Sequence, residues 1–183
     1  MVDDYTFAIE TERREKDYWF RVSDDSPIPH AKRHGFKGLS YHPVDPKYRF
    51  RVELHVYPKQ DVLTFATSKG TEQQYFRHGY FEFIVDGQTV RLNAYRPVHA
   101  HGPRVSLFAP FRDATSGKET YGAGRYLDLE GSPDGVYDLD FNRAYNPYCA
   151  YSDEYVCPLP PPENWLRVPI RAGEKTWTHE TGE

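Results

Sequence analysis

The strongest constraint on this chain is a change of hydrophobic period near residue 38, from about 3.6 to 2. Tyr48, Phe50, Val52, Leu54 and Val56 alternate with Arg49, Arg51, Glu53, His55 and Tyr57. Strict alternation marks a strand with one face buried. Val62 to Thr67 is the next such run and ends in Ser68-Lys69-Gly70-Thr71. Residues 80–85 lead into Asp86-Gly87, and 90–95 return. A two-residue Asp-Gly link between alternating runs predicts a tight hairpin. Further strands are expected at 104–110, 124–129, 136–141 and 165–171. Strands separated by turns, with no helices between them, predict an all-β fold: an antiparallel barrel or closed sandwich.

The first 35 residues read differently. Residues 4–20 form a helix capped by Asp3 or Asp4, with Glu10–Arg14 and Glu12–Lys16 spaced for i,i+4 pairing. Ser26-Pro27 stops it, and Pro29 to His34 makes one more turn closed by Gly35 as the C′ residue. The expected organisation is one domain, with the helical segment 1–35 packed on a β domain spanning 36–183.

Composition removes several classes of function. The 23 Lys and Arg face 27 Asp and Glu, a net charge of −4. There is no basic excess for broad phosphate binding, so nucleic acid is not an expected partner. No run approaches the ~18 apolar residues of a membrane span, and Met-Val-Asp-Asp does not begin a signal peptide, so the expected location is cytoplasmic. Aliphatic residues are sparse. Fifteen tyrosines, eleven phenylalanines and three tryptophans supply the missing surface, at roughly 150–250 Å² buried per ring.

Polar chemistry concentrates in 111–164. Arg112, Arg125 and Arg143 stand among Asp113, Asp128, Asp138 and Asp140, followed by Asn142, Tyr145, Asn146, Cys149 and Tyr151. Two readings fit the arginines. They tie long loops together through bidentate Arg–Asp pairs, or one stays free in a pocket for a carboxylate or phosphate. Asp138 and Asp140 share a strand face and serve as arginine partners or as an acid–base pair. Cys149 and Cys157 are too few for a disulfide framework. They are buried thiols, a metal or redox pair, or a nucleophile at Cys149 whose base comes from elsewhere, for no histidine lies between His101 and His179. His99 and His101 share a strand face but lack an evident third ligand, so no metal site is assigned. Thr115-Ser116-Gly117-Lys118 is not a phosphate-binding loop, because Arg112 stands where its first glycine belongs. Ser116 also lacks a nucleophile elbow.

The same segment resembles the DUF1684 family of archaeal and bacterial proteins of unknown function. The stretches that carry the resemblance are Phe111-Arg112-Asp113 with Thr115-Ser116-Gly117, Thr120-Tyr121, and Gly124-Arg125-Tyr126-Leu127. They continue through Asp140-Phe141-Asn142-Arg143-Ala144-Tyr145-Asn146-Pro147, Cys149-Ala150-Tyr151, Cys157-Pro158-Leu159-Pro160-Pro161 and Glu163-Asn164, and close with Ile170 to Glu174. Arg14, Lys16-Asp17, Phe36, Gly38-Leu39 and Tyr41 also fit. His99-Ala100-His101-Gly102 departs from the pattern. The resemblance implies nearly the full chain length and no activity or cofactor.

The leading functional expectation is a binding protein for a small polar or anionic molecule. Its site would draw on Arg112, Asp113, Arg125, Asp140, Asn142, Arg143, Tyr145, Asn146, Cys149 and Tyr151. The alternatives are an enzyme, hydrolytic or thiol-dependent, using Cys149 with Asp140 or another base, and a structural module whose aromatic surface serves a partner or a homodimer.

Overall fold

The computed structural model describes residues 1–102 and 105–178. Helix α1 spans Asp4–Val22, and the Asp3 carboxylate caps it by accepting from the Thr6 N–H. A four-residue helix, α2 (His30–Arg33), follows. Gly35 is not among the glycines at positive φ, so α2 ends without the left-handed closure expected there.

Among the described residues eight strands form two antiparallel sheets. They are β1 (Arg49–Glu53), β2 (His55–Val56), β3 (Val62–Ala66), β4 (Glu72–Val85), β5 (Gln88–Pro97), β6 (Leu107–Phe111), β7 (Arg125–Leu129) and β8 (Val136–Asp140). One sheet runs β2-β4-β5-β6-β7, with β3 also on β4; the other is the pair β1-β8. The β4–β5 hairpin turns at Asp86-Gly87, both at positive φ, as the dipeptide predicts. Residues 103 and 104, the start of the strand expected at 104–110, lie outside the described residues.

Two expectations change. The run 48–57 is not one strand. At Leu54 the chain leaves β8, donating its N–H to Gly135 O, and His55 joins β4. The inward alternation therefore ends there, and Val56 is exposed. The second change concerns 165–171, which is no strand. Leu166, Val168, Ile170 and Ala172 do point inward in strict alternation. Their backbone, however, touches β6 only at its end, through an Arg112–Trp165 bridge and the bonds Leu166 N–H to Arg112 O and Ala114 N–H to Val168 O. Alternation reports burial, and a buried extended segment can satisfy its backbone without a neighbouring strand.

The pairing is mostly antiparallel sheet, and among the described residues no ladder joins β7 to β8. The ring expected of a barrel is thus not closed at that seam. The main core lies between the sheets and is aromatic: Phe50, Phe83, Phe111 and Phe141 meet at ring separations of 4.8–6.1 Å. A second cluster under α1 joins Phe20, Ile28, Phe36 and Tyr151. Among the described residues no helix is long and apolar enough to cross a membrane.

Candidate functional site

The unpaired seam is where the molecule opens. A groove of about 580 Å³ runs between β7 and β8. Its walls are Leu127, Asp128 and Leu129 on one side and Val136 to Asp138 with Asp140 on the other, with Glu12 of α1, Arg143 and Tyr145 closing one end. Asp140 is buried and fully engaged. It accepts from the Tyr5 hydroxyl (2.8 Å), Arg143 Nη1 (3.2 Å), and the Asn142 N–H and Nδ2 (3.0 Å each). Asn142 lies beneath it and clamps Asp45 through both backbone groups. Arg143 forks onto Glu12 at 2.8 and 3.0 Å. This pairing holds its guanidinium strongly protonated. Arg49 forks in the same way onto Asp138.

The β7 wall is different. Asp128 accepts only the Tyr145 hydroxyl, at 2.6 Å, and burial beside that carboxylate pushes the phenol well above its usual range. Glu130, two residues on, has no ion-pair partner among the described residues. The groove thus presents Glu12, Asp128, Glu130, Asp138 and Asp140 against Arg143. Its two cations, Arg143 and the flanking Arg49, are already spent on its carboxylates.

The remaining expected residues separate into three other places. Arg125 is fully buried and is no pocket residue. Its guanidinium donates to the carbonyls of Ile170 (2.9 Å), Glu174 (3.2 Å) and Ala172 and to Asp113 Oδ2 (3.3 Å). Asp113 is equally committed, accepting from Ile170 N–H (2.6 Å) and the Thr115 hydroxyl (2.7 Å). This pair takes the place of the missing strand partner for 170–174. Asn146 and Tyr151 belong to a second buried knot around Glu174. Tyr151 OH (2.9 Å), the Asn146 N–H (2.8 Å) and Lys16 Nζ (3.2 Å) all reach its carboxylate. Arg112 lies outside the groove, its guanidinium 4.9 Å from the centre of the exposed Trp165 ring.

Cys149 stands apart from Asp140, so that expected pairing of nucleophile and base is not formed. Its neighbours are Cys157, Tyr121 and Ser68. The Cys149 N–H donates to Cys157 Sγ at 3.4 Å, and Tyr121 OH donates to Cys149 Sγ at 3.9 Å. Both cysteines are free thiols. The Cys157 thiol, followed by the Tyr121 and Ser68 hydroxyls, lowers Cys149 to about 6 against the opposing effect of burial. Cys157 moves up for the reciprocal reason.

The residues that sequence reasoning missed are mainly acidic: Glu174, Glu12 and Glu130. Glu174 was legible, since it occupies the next inward position after Leu166, Val168, Ile170 and Ala172. Glu12 and Glu130 carried no such signal, because only tertiary packing brings α1 to the seam. Among the described residues no three His, Cys, Asp or Glu side chains form a cluster able to hold a metal.

A family model described as a protein of unknown function (DUF1684) matches residues 34–175. The chain belongs to the DUF1684 family. The match takes in the whole β region and all ten expected site residues, and it omits α1. A solved structure is also similar: the solution NMR structure of an uncharacterised protein of Haloarcula marismortui. It is 39% identical over 94% of this chain and 95% of that one, with a TM-score of 0.71. No curated protein matches. This DUF1684 chain therefore shares its fold with proteins that lend it no activity, and the site must be argued from its own geometry.

Proposed function

We propose that the protein binds a small polar molecule in the β7–β8 groove, and that the ligand carries positive charge. The observation that carries this reading is the pairing inside the groove. Arg143 and Arg49 are neutralised by Glu12, Asp140 and Asp138, while Asp128 and Glu130 on the opposite wall have no ion-pair partner among the described residues. An anion would meet five carboxylates and no spare guanidinium. An ammonium or guanidinium would meet two carboxylates without ion-pair partners beside the Tyr137 ring, and cation–π attraction adds about 0.5–1 kcal/mol at such sites. The expected preference for an anion is therefore reversed in this proposal. The antiparallel sheet path, broken between β7 and β8, supports reading the fold as an incompletely closed barrel.

The test is thermal unfolding with putrescine and arginine amide beside phosphate and citrate. A ligand at 100 times its Kd stabilises by about 2.7 kcal/mol, which raises Tm by roughly 5–11 °C in a chain of this size. The amines are expected to give such a shift, and Asp128→Asn with Glu130→Gln to abolish it without moving the unliganded Tm. A shift with the anions alone, or none with any probe at millimolar concentration, overturns the proposal.

A further inference from the structure

Cys149 and Cys157 are far from spent in packing. Cys157 is buried and its backbone is held on both sides: Ser68 N–H donates to its carbonyl (2.9 Å) and its own N–H to Ser68 Oγ (3.1 Å). The neighbouring Thr67–Pro158 bridge fixes the strand next to it. Cys149, in contrast, is only half-buried. It sits in a single 3₁₀ turn, Tyr148–Ala150, whose own N–H points at the Cys157 sulfur at 3.4 Å. That contact brings one thiol to the other with only a short loop between them. The Tyr121 hydroxyl turns toward the Cys149 sulfur as a donor at 3.9 Å. A hydroxyl donor on one sulfur, with a second thiol beside it, makes a partly exposed attacking cysteine and a shielded resolving one.

We propose that Cys149 and Cys157 are a reactive dithiol that is oxidised by small hydroperoxides. The Cys149 thiolate attacks the distal peroxide oxygen. The O–O bond breaks, and the leaving alkoxide or hydroxide takes a proton to become alcohol or water. Cys149 is then a sulfenic acid. The Cys157 thiol gives up its proton and attacks the Cys149 sulfur, the S–S bond forms, and the sulfenic oxygen leaves as water. Two thiols and one hydroperoxide thus give one disulfide, one alcohol or water, and one water. The electrons come from the two sulfurs and end on the peroxide oxygens. Tyr121 holds the thiolate in place and Cys157 captures the sulfenic acid before further oxidation. This proposal does not depend on the ligand proposed for the β7–β8 groove.

Full-length reduced protein treated with equimolar hydrogen peroxide and read by intact mass tests this. The expected result is a monomer lighter by about 2 Da, a Cys149–Cys157 linked peptide after digestion, and full reversal by dithiothreitol. Cys157→Ser is expected to stop about 16 Da heavier, with dimedone captured at Cys149, and Cys149→Ser to do neither. Alkylation of the wild-type protein gives a reading that does not depend on a folded variant. The thiolate excess at pH 6, offset by weaker nucleophilicity, predicts Cys149 reacting about tenfold faster than free cysteine, with Cys157 unlabelled. Retention of two thiols after peroxide overturns the proposal. So does irreversible over-oxidation of Cys149, a disulfide between molecules, or equal labelling of both cysteines.

Discussion

Removing the Arg125 side chain is expected to cost more than any other single polar truncation in the chain. The guanidinium is fully buried and joins Asp113 to the carbonyls of Ile170, Ala172 and Glu174. Arg125→Met keeps most of the apolar stem over the Phe111 ring, 5.2 Å from the guanidinium carbon, and so isolates the polar loss. Breaking a buried ion pair by deleting one partner costs about 3–5 kcal/mol. Each carbonyl left dry adds roughly 1 kcal/mol or more. Against a total stability of about 5–15 kcal/mol, the variant should lie close to unfolding at 25 °C. Urea denaturation followed by tryptophan fluorescence should show a loss of at least about 3 kcal/mol with an unchanged m-value. Arg125→Lys should fall between, because one ammonium cannot reach three carbonyls and a carboxylate at once. A loss below about 1 kcal/mol for Arg125→Met would refute the assignment of Arg125 to the scaffold. It would mean that the C-terminal segment is held by its apolar side chains alone.

The other predictions test neighbouring parts of the argument. Gly173→Ala should destabilise strongly, because φ is +75° and the new methyl would stand 2.6 Å from Ala144 O and 2.7 Å from Phe141 O; thermal unfolding checks it. Arg143→Ala should cost clearly less than Arg125→Met, about 1–2 kcal/mol, since its pairs with Glu12 lie at the exposed rim and the buried Asp140 keeps the Tyr5 and Asn142 donors. Chemical denaturation giving a loss as large as that of Arg125→Met would contradict this. His42 and His78 are both lowered, chiefly by burial. Their unfolded forms take up protons near pH 6.5 that the folded forms resist, so stability should be full above that pH and fall as the pH drops below it. Urea midpoints at pH 8 and 5.5 should differ in that direction, and the difference should shrink in His42→Asn.

Most of the fold was legible in the sequence because burial leaves a period in the residue order. The helix after Asp3, the Asp86-Gly87 hairpin and the strand runs 80–85 and 90–95 that flank it follow from local patterning and turn chemistry, whereas the first half of β4 carried no such mark. Also legible is the concentration of arginine and aspartate in 111–164, of which Arg125 and Asp113 form a buried pair. What local pattern could not decide was partnership. The run 165–171 has a strand's alternation, yet its carbonyls bond to the side chain of Arg125. Leu54 continues the alternation of β1 while the chain passes from one sheet to the other. The groove exists because β7 and β8 lie side by side without a ladder, and it is acidic because α1 brings Glu12 across more than a hundred residues to Arg143. Hydrophobic periodicity is written in neighbours along the chain. Hydrogen-bond partners and charge balance at a seam are set by which distant backbones and side chains reach the same place, and only the tertiary structure decides that.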